Sequence, residues 1–376
     1  MNIAGTLSLY VARRFAGMAF AMLAALTGLV ALFDFIELLR RSATRPDASF
    51  ALVTAIAAMR LPFVAMQILP FALLLGGIVA FWRLTRSSEL IVARAAGISA
   101  WGFLAGPVLV AIAFGIAATT LVSPLSSVLL ARAERLDAAY LRSGGGMTAL
   151  AGGKLWLRQA DAGLDPHGVA ILSGRPAPRP GRQAGTASGF VLNDVSVWRL
   201  SPGDQPLERI EAPVARLYGG RWELEDATVF GATRTGVAQA RIVLPTDLTP
   251  DRIEESFATP DTLSFWTLPA FIGVLEAAGF SAVRHRLHFQ SLLALPLLAA
   301  CMALLAAGFS MRSTRRGGVA QMIAAGVAAG FALFVLDKVS DELGEAGTLP
   351  VVLAAWAPSV AGLLLALTLL LHLEDG

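Results

Sequence analysis

The sequence predicts a membrane α-helical bundle of six transmembrane helices with an inserted all-β, jelly-roll-like domain on the non-cytoplasmic side. Three observations carry that prediction. Of the 376 residues, 56% are hydrophobic and only 15% charged, against about 25% charged in a soluble globular protein. The mean hydropathy is +0.65. The apolar runs sit at the two ends of the chain, and the middle third is built from short runs and turns.

A helix crossing the hydrocarbon needs roughly 20 apolar residues. Segments near 15–36, 61–82, 101–124, 318–338 and 350–372 qualify directly. A sixth, near 288–310, qualifies once Pro296 is admitted, since membrane helices tolerate proline. Arg13 and Arg14 precede the first run as in a signal peptide, but the run is too long and "FDFIELLRR" follows it where a small-residue cleavage site belongs. It reads as an uncleaved first span. The stretch 263–280 is shorter and carries Pro269, Glu276 and Trp266. It reads as an interfacial amphipathic helix, with a seventh span as the alternative.

Arg and Lys near span ends set orientation. With six spans, Arg13 and Arg14, then Arg83, Arg86 and Arg94, then Arg312, Arg315 and Arg316 all fall on one side, taken as cytoplasmic. Arg40, Arg41 and Arg45, with Arg284 and Arg286, fall on the other.

Residues 135–260 are the inserted domain. "GGKLWLRQ", "GVAILSG", "GFVLNDVSVWRL", "RIEAPVARLY", "GGRWELEDATVFG" and "AQARIVLP" read as strands separated by Gly, Pro, Asp and Asn. Six or more short strands fit a sandwich or jelly roll. Alternation in "RWELEDATVF" is imperfect. The stretch 172–188 is rich in Pro, Gly and Arg and reads as a long loop. The domains are thus 1–134, 135–260 and 261–376. Gly102-x-x-x-Gly106 and Gly326-x-x-x-Gly330 have the spacing that lets membrane helices approach closely.

The chain carries no His-Glu-x-x-His, no Gly-x-Ser-x-Gly and no Gly-x-x-x-x-Gly-Lys-Ser/Thr, so it is read as a non-enzyme that does not hydrolyse ATP itself. No Cys/His spacing resembles a metal site, and Cys301 reads as a small packing residue. Arginines are scattered rather than clustered with aromatics, which speaks against nucleic acid. Asp34 and Asp337 lie near the outer ends of spans one and five, where a charge costs less than at mid-membrane. Lys338 beside Asp337 offers compensation.

The stretch "LTRSSELIVARAAGIS", residues 84–99, places Arg86, Glu89 and Arg94 between spans two and three. Leu84, Ile91 and Ala95 lie near one helical face, and Glu89 sits a turn from Arg86. Residues 84–98 read either as a surface helix whose charges meet water or as a coupling helix that a partner grips.

Several stretches together resemble one family. They are "SSELIVARAAGIS", "FDFIELLRR", "LPFALLLGGIVAFWRL", "FSMRSTRRGG", "GFALFVLDKVSDELGEAGTLP" and "AAWAP". In these the chain resembles the LptF/LptG permeases of the lipopolysaccharide export transporter, and "FDFIELL" and "FVLDK" look closer to the G-type branch. The resemblance implies a six-span inner-membrane subunit with a periplasmic jelly-roll domain. It implies a paralogous F-type permease subunit, an ATPase dimer that uses the ATP, and periplasmic bridge proteins that pair with the β domain edge to edge. It implies lipopolysaccharide as substrate and no cofactor of the chain's own. Glu89 then corresponds to the coupling-helix acid that meets a basic residue on the ATPase, flanked by Arg86 and Arg94. Spans one and five correspond to a lateral gate. Some family members carry a basic residue where this chain has Asp34, so no phosphate contact is carried over there.

An anionic, many-tailed lipid calls for an apolar cavity with a cationic rim. Candidates are Arg40, Arg41, Arg60, Gln67, Arg284 and Arg286, since arginine contacts phosphate bidentately. The alternative is that these arginines snorkel to lipid headgroups. Asp34 and Lys338, at similar depth, are expected to pair across the gate. Competing functions are a permease for another envelope lipid or lipoprotein, a membrane enzyme acting on envelope lipids, and a passive anchor for the β domain.

Overall fold

The computed structural model describes residues 3–43, 49–87, 89, 92, 99–140, 148–151, 154–161, 168–177, 190–201, 205–231, 236–246, 259–277, 281–310 and 319–374. The chain divides into two compact units. One comprises Met1–Leu141, Pro260–Pro269 and Val283–Gly376; the other Arg142–Thr259 and Ala270–Ala282.

The first unit is helical. Its elements are α1 (Ile3–Ser42), α2 (Phe50–Arg86), α3 (Ala100–Ala117), α4 (Ser123–Tyr140), α6 (Val283–Ser310), α7 (Val319–Glu345) and α8 (Val351–Glu374). A π-helical turn, Ala118–Val122, joins α3 to α4 in one rod. Six helices among the described residues are long and apolar enough to cross a membrane, with α3 and α4 counting as one. At 1.5 Å per residue, the 40 residues of α1 extend about 60 Å, well beyond a hydrocarbon core of about 30 Å. The first and third helices therefore run further than their apolar stretches, to Ser42 and Tyr140.

Local chemistry fixes the helix ends and crossings. The Ser49 hydroxyl accepts from the Leu52 amide at 3.2 Å and caps α2. Ser99 caps α3 in the same way through Gly102, so Gly102 serves the cap. Gly106 serves the close approach, because a Cβ there would lie 2.4 Å from the Ser8 carbonyl of α1. Gly326 and Gly330 seat the side chains of Ile78 and Leu74, which packs α7 on α2. Cys301 is buried on α6, against the site where Gly362 of α8 lacks a side chain.

The second unit holds one seven-stranded antiparallel sheet: β1 (Thr148–Ala151), β2 (Lys154–Ala160), β3 (Val169–Pro176), β4 (Phe190–Leu200), β5 (Pro206–Tyr218), β6 (Arg221–Phe230) and β7 (Gly236–Pro245). The strands lie in sequence order. Of the jelly-roll-like expectation, the structure shows the antiparallel all-β sheet, in which each described strand pairs with its sequence neighbour. The sheet is a meander, with no β1–β7 pairing among the described residues. Gly219 and Gly220, at φ of 51° and 77°, form the two-residue turn that sends β5 back as β6.

One expectation is corrected, and one irregularity is explained. The stretch 172–188 does not begin as a loop, because β3 runs to Pro176, with Arg175 and Pro176 facing Asn193 and Leu192 of β4. Residues 178–189 lie outside the described residues. The faulty alternation in "RWELEDATVF" has a local cause. Asp226 adopts φ 50°, and the inward face shifts from Trp222 and Leu224 to Ala227. Asp194 on β4 adopts the same φ. Both flank the part of β5 that contains Pro213, which has no N–H for a ladder. The register of β5 with both neighbours runs on unshifted past it, and the positive φ of Asp194 and Asp226 marks the break.

The stretch 263–280 contains one short helix, α5 (Leu268–Ala277). Its ten residues extend about 15 Å, too short to span. Phe271, Ile272 and Leu275 pack into the apolar cluster of the sheet. In the same unit Arg199 is held by Asp161 and by Glu208 at 2.9 Å. Burial works against its charge, but the bonds to these two carboxylates outweigh it and raise its pKa.

Candidate functional site: a cavity among the helices

A cavity of about 360 Å³ opens within the helical unit, between α2, α4, α6 and α7. Its walls are apolar, with Phe63, Phe71, Leu295, Leu298, Leu333 and Phe334 prominent. Polar groups complete the lining: Gln67, Ser123, Ser126 and Ser291, with Asp261, His288, Asp337 and Lys338. This is the composition of a ligand site, mostly apolar with a few convergent polar groups. Its volume lies at the small end of the usual range, roughly 300–1,000 Å³.

The helices around it are set by small residues and freed backbone groups. Opposite Pro296 of α6 stands Gly115 of α3, where a Cβ would lie 2.5 Å from the proline Cα. The π turn follows at once. Thr119 donates its hydroxyl to the Leu292 carbonyl at 2.9 Å, and the Thr120 carbonyl accepts the Trp266 indole N–H at 3.2 Å. The Phe265 amide donates to the Ser123 hydroxyl at 3.1 Å, and the Phe265 ring stacks on Phe289 at 5.2 Å. These contacts seat the turn around Pro260–Thr262, which presents Asp261 to His288 Nδ1 at 3.5 Å. π turns of this kind recur at functional sites.

The arginines expected at a cationic rim stand elsewhere. Arg40 and Arg41 both bond Glu37 on their own helix, at 2.8 and 2.9 Å, and are exposed. Arg60 joins Asp34 of α1 at 3.1 Å and Asp137 of α4 at 3.5 Å. Its side chain is 18% exposed and that of Asp137 1%. Arg284 meets Glu345 of α7 at 3.5 Å, and Arg286 is exposed. None of the five lines the cavity, whereas Gln67 does.

The expected Asp34–Lys338 pair is not made. Asp34 is engaged by Arg60, and Lys338 lies 3.9 Å from Asp341 and 5.9 Å from the Phe334 ring centre. The reason is local: each charge has a nearer opposite partner.

On the opposite connection, Arg86 lies over the Trp82 ring at 5.5 Å, and Glu89 accepts from the Ser87 hydroxyl at 2.8 Å. Arg94 and most of 84–98 lie outside the described residues, as do Arg312, Arg315 and Arg316. The residues that sequence reasoning missed are His288, Asp261 and Asp137. Asp137 had a signal: Ser126, Leu130, Ala133 and Asp137 form one buried stripe of α4 at three- and four-residue spacing. Among the described residues no group of three or more His, Cys, Asp or Glu could hold a metal ion.

The family model described as "Lipopolysaccharide export system permease LptF/LptG" matches residues 9–372. The chain belongs to this family. Its relatives carry the G-type name. It is 25% identical over 311 residues, 81% of each chain, to "Lipopolysaccharide export system permease protein LptG" of Escherichia coli K12. It is 23% identical over 361 residues, 94% of this chain and 95% of the relative, to the protein of the same name from Haemophilus influenzae. As a family member the chain is a multi-pass inner-membrane permease of the lipopolysaccharide transport type.

Proposed function

We propose that this chain is the G-type permease subunit of an ABC transporter that extracts lipopolysaccharide from the inner membrane and passes it to a periplasmic bridge. The family match across nearly the whole chain carries the reading. The cavity between α2, α4, α6 and α7, mostly apolar with several polar groups in its lining, supports it. Such a cavity suits a ligand with both apolar tails and a polar head.

The division of labour follows from chemistry. With no P-loop in the sequence, the work comes from a partner ATPase dimer, gripped through residues 84–98 with Glu89 as the charged contact and Arg86 and Arg94 beside it. An F-type permease subunit completes the translocation path. The large apolar side chains that α1 and α7 leave exposed, among them Phe33, Ile36, Phe331 and Val335, fit a lateral gate formed with that second subunit. Asp34 and Lys338 then stand near the gate's outer ends. The sheet domain is periplasmic and offers edge strands to a bridge protein, whose strand would extend the sheet through main-chain hydrogen bonds. The ten-residue β7, exposed along most of its length, is the longer edge. Arg40, Arg41, Arg284 and Arg286 sit near helix ends, outside the cavity lining, where head-group phosphates would meet them.

The test is reconstitution. The chain, its F-type partner and the ATPase are placed in lipopolysaccharide-containing proteoliposomes with a soluble bridge protein outside. ATP-dependent appearance of lipopolysaccharide on the bridge protein is expected. ATP hydrolysis without any lipopolysaccharide transfer would contradict the reading.

A further inference from the structure

The polar lining of the cavity has the wrong charge for phosphate. Asp261, Asp337 and Lys338 supply its formal charges, and the remaining polar groups are His288, Gln67 and serine hydroxyls. With histidine neutral, two carboxylates face one ammonium. That ammonium is shared with a third carboxylate: Lys338 sits 3.9 Å from Asp341, with the Phe334 ring under it. Every arginine expected to meet phosphate lies outside the lining, and Arg40, Arg41, Arg60 and Arg284 already hold carboxylates. A carboxylate accepts hydrogen bonds and donates none. A phosphate brought beside it in a low-dielectric site meets repulsion, whereas hydroxyl donors meet strong acceptors.

We propose that this polar lining receives the sugar hydroxyls of a lipid head, with Asp261 and Asp337 as acceptors, and excludes its phosphates. The inference rests on the lipid-export reading and refines it: the chain's own cavity reads the glycan portion of the head, and phosphates stay outside, near the arginines at the helix ends. Asp261 is fixed for this role by His288 at 3.5 Å and by the turn that Phe265 and Trp266 clamp onto α4 and α6. Asp337 reaches the same space from α7. Gln67 and Ser291 add groups that both donate and accept, which suits hydroxyls.

The full-length chain in lipid nanodiscs is titrated with two probes of equal acyl length, diglucosyl diacylglycerol and phosphatidic acid. Hydrogen bonds to charged groups are strong enough that wild type should prefer the glycolipid by about tenfold. Asp337→Asn and Asp261→Asn should each erode that preference, and Asp337→Lys should shift it toward phosphatidic acid. Equal or tighter binding of phosphatidic acid by wild type overturns the proposal, with no variant needed. So does a glycolipid preference that neither Asn substitution changes. ATP-driven lipopolysaccharide transfer by the reconstituted complex is scored separately. If transfer proceeds while phosphatidic acid wins the titration, the sugar-hydroxyl proposal fails and the export reading stands. If transfer is absent while the glycolipid preference holds, the export reading fails.

Discussion

Helices α1 and α6 have similar apolar content and opposite fates. In the most apolar stretch of α6, 67% of residues are buried inside the chain, against 6% in that of α1. The difference lies in what packs against each helix. The run "LAACMALLAAGFS" of α6 offers alanine, glycine, cysteine and serine, which let neighbouring backbones approach, and it packs between α2 and α8. Helix α1 is also rich in alanine and glycine, yet it displays Phe20, Leu29, Leu32, Phe33 and Ile36 to the surroundings, and its Gly17 and Gly28 meet nothing within 4 Å. Hydropathy reports that a helix enters the membrane. Small residues permit a close approach, and a neighbour from the same chain must still be there to make it. At its outer end α1 is tied instead by charge, through Asp34, Arg60 and Asp137.

The largest effect should come from breaking that tie. Arg60→Ala leaves two carboxylates facing each other in a largely buried place and should destabilise the helical unit by about 3–5 kcal/mol. Replacing all three residues with apolar ones of similar size should restore most of the loss. Thermal denaturation of the purified chain in detergent reads both.

Next in size are the close crossings. Gly76→Val would place a Cβ 2.6 Å from the Ala19 Cα and push α1 away from α2, at about 1–3 kcal/mol. Gly28→Val on α1 meets nothing within 4 Å and should be within about 0.5 kcal/mol of wild type. The pair of melting curves sharpens the contrast between covered and uncovered glycines.

Smaller still, for the isolated chain, is Phe33→Ala with Ile36→Ala. These side chains face outward, so the melting temperature should hold while co-purification of the F-type subunit falls. Unchanged co-purification would remove α1 from the subunit interface. The smallest structural effect belongs to Arg40→Glu with Arg41→Glu, which breaks exposed pairs with Glu37. Folding and assembly should be unaffected, and lipopolysaccharide cross-linking should weaken.

Six apolar segments were legible because each spans the hydrocarbon on its own, and the meander was legible as strands because Gly and Pro punctuate them. The sheet's topology was not, since alternation says which face a residue takes but not which strand lies beside it. Nor was the break at Pro213, which has no N–H for the ladder and is flanked by Asp194 and Asp226 at positive φ. At the site, Gln67 was found from its depth in span two. The arginines lie outside the cavity lining, and their acid partners were not legible, because a cation near a span end reads the same whether or not an acid lies one turn away, as Glu37 does for Arg40 and Arg41. Asp261 and His288 were invisible, because a turn and a helix far apart in character are brought together only by the Phe265 and Trp266 contacts.

The most direct measurement places a photo-cross-linking amino acid at Phe334 in the cavity and, in a second and otherwise identical strain, at Leu121, which is exposed and does not line it. The account predicts a lipopolysaccharide adduct in living cells at position 334 and none at 121. Adducts of equal strength at both, or only phospholipid at 334, would contradict a lipopolysaccharide path through this chain.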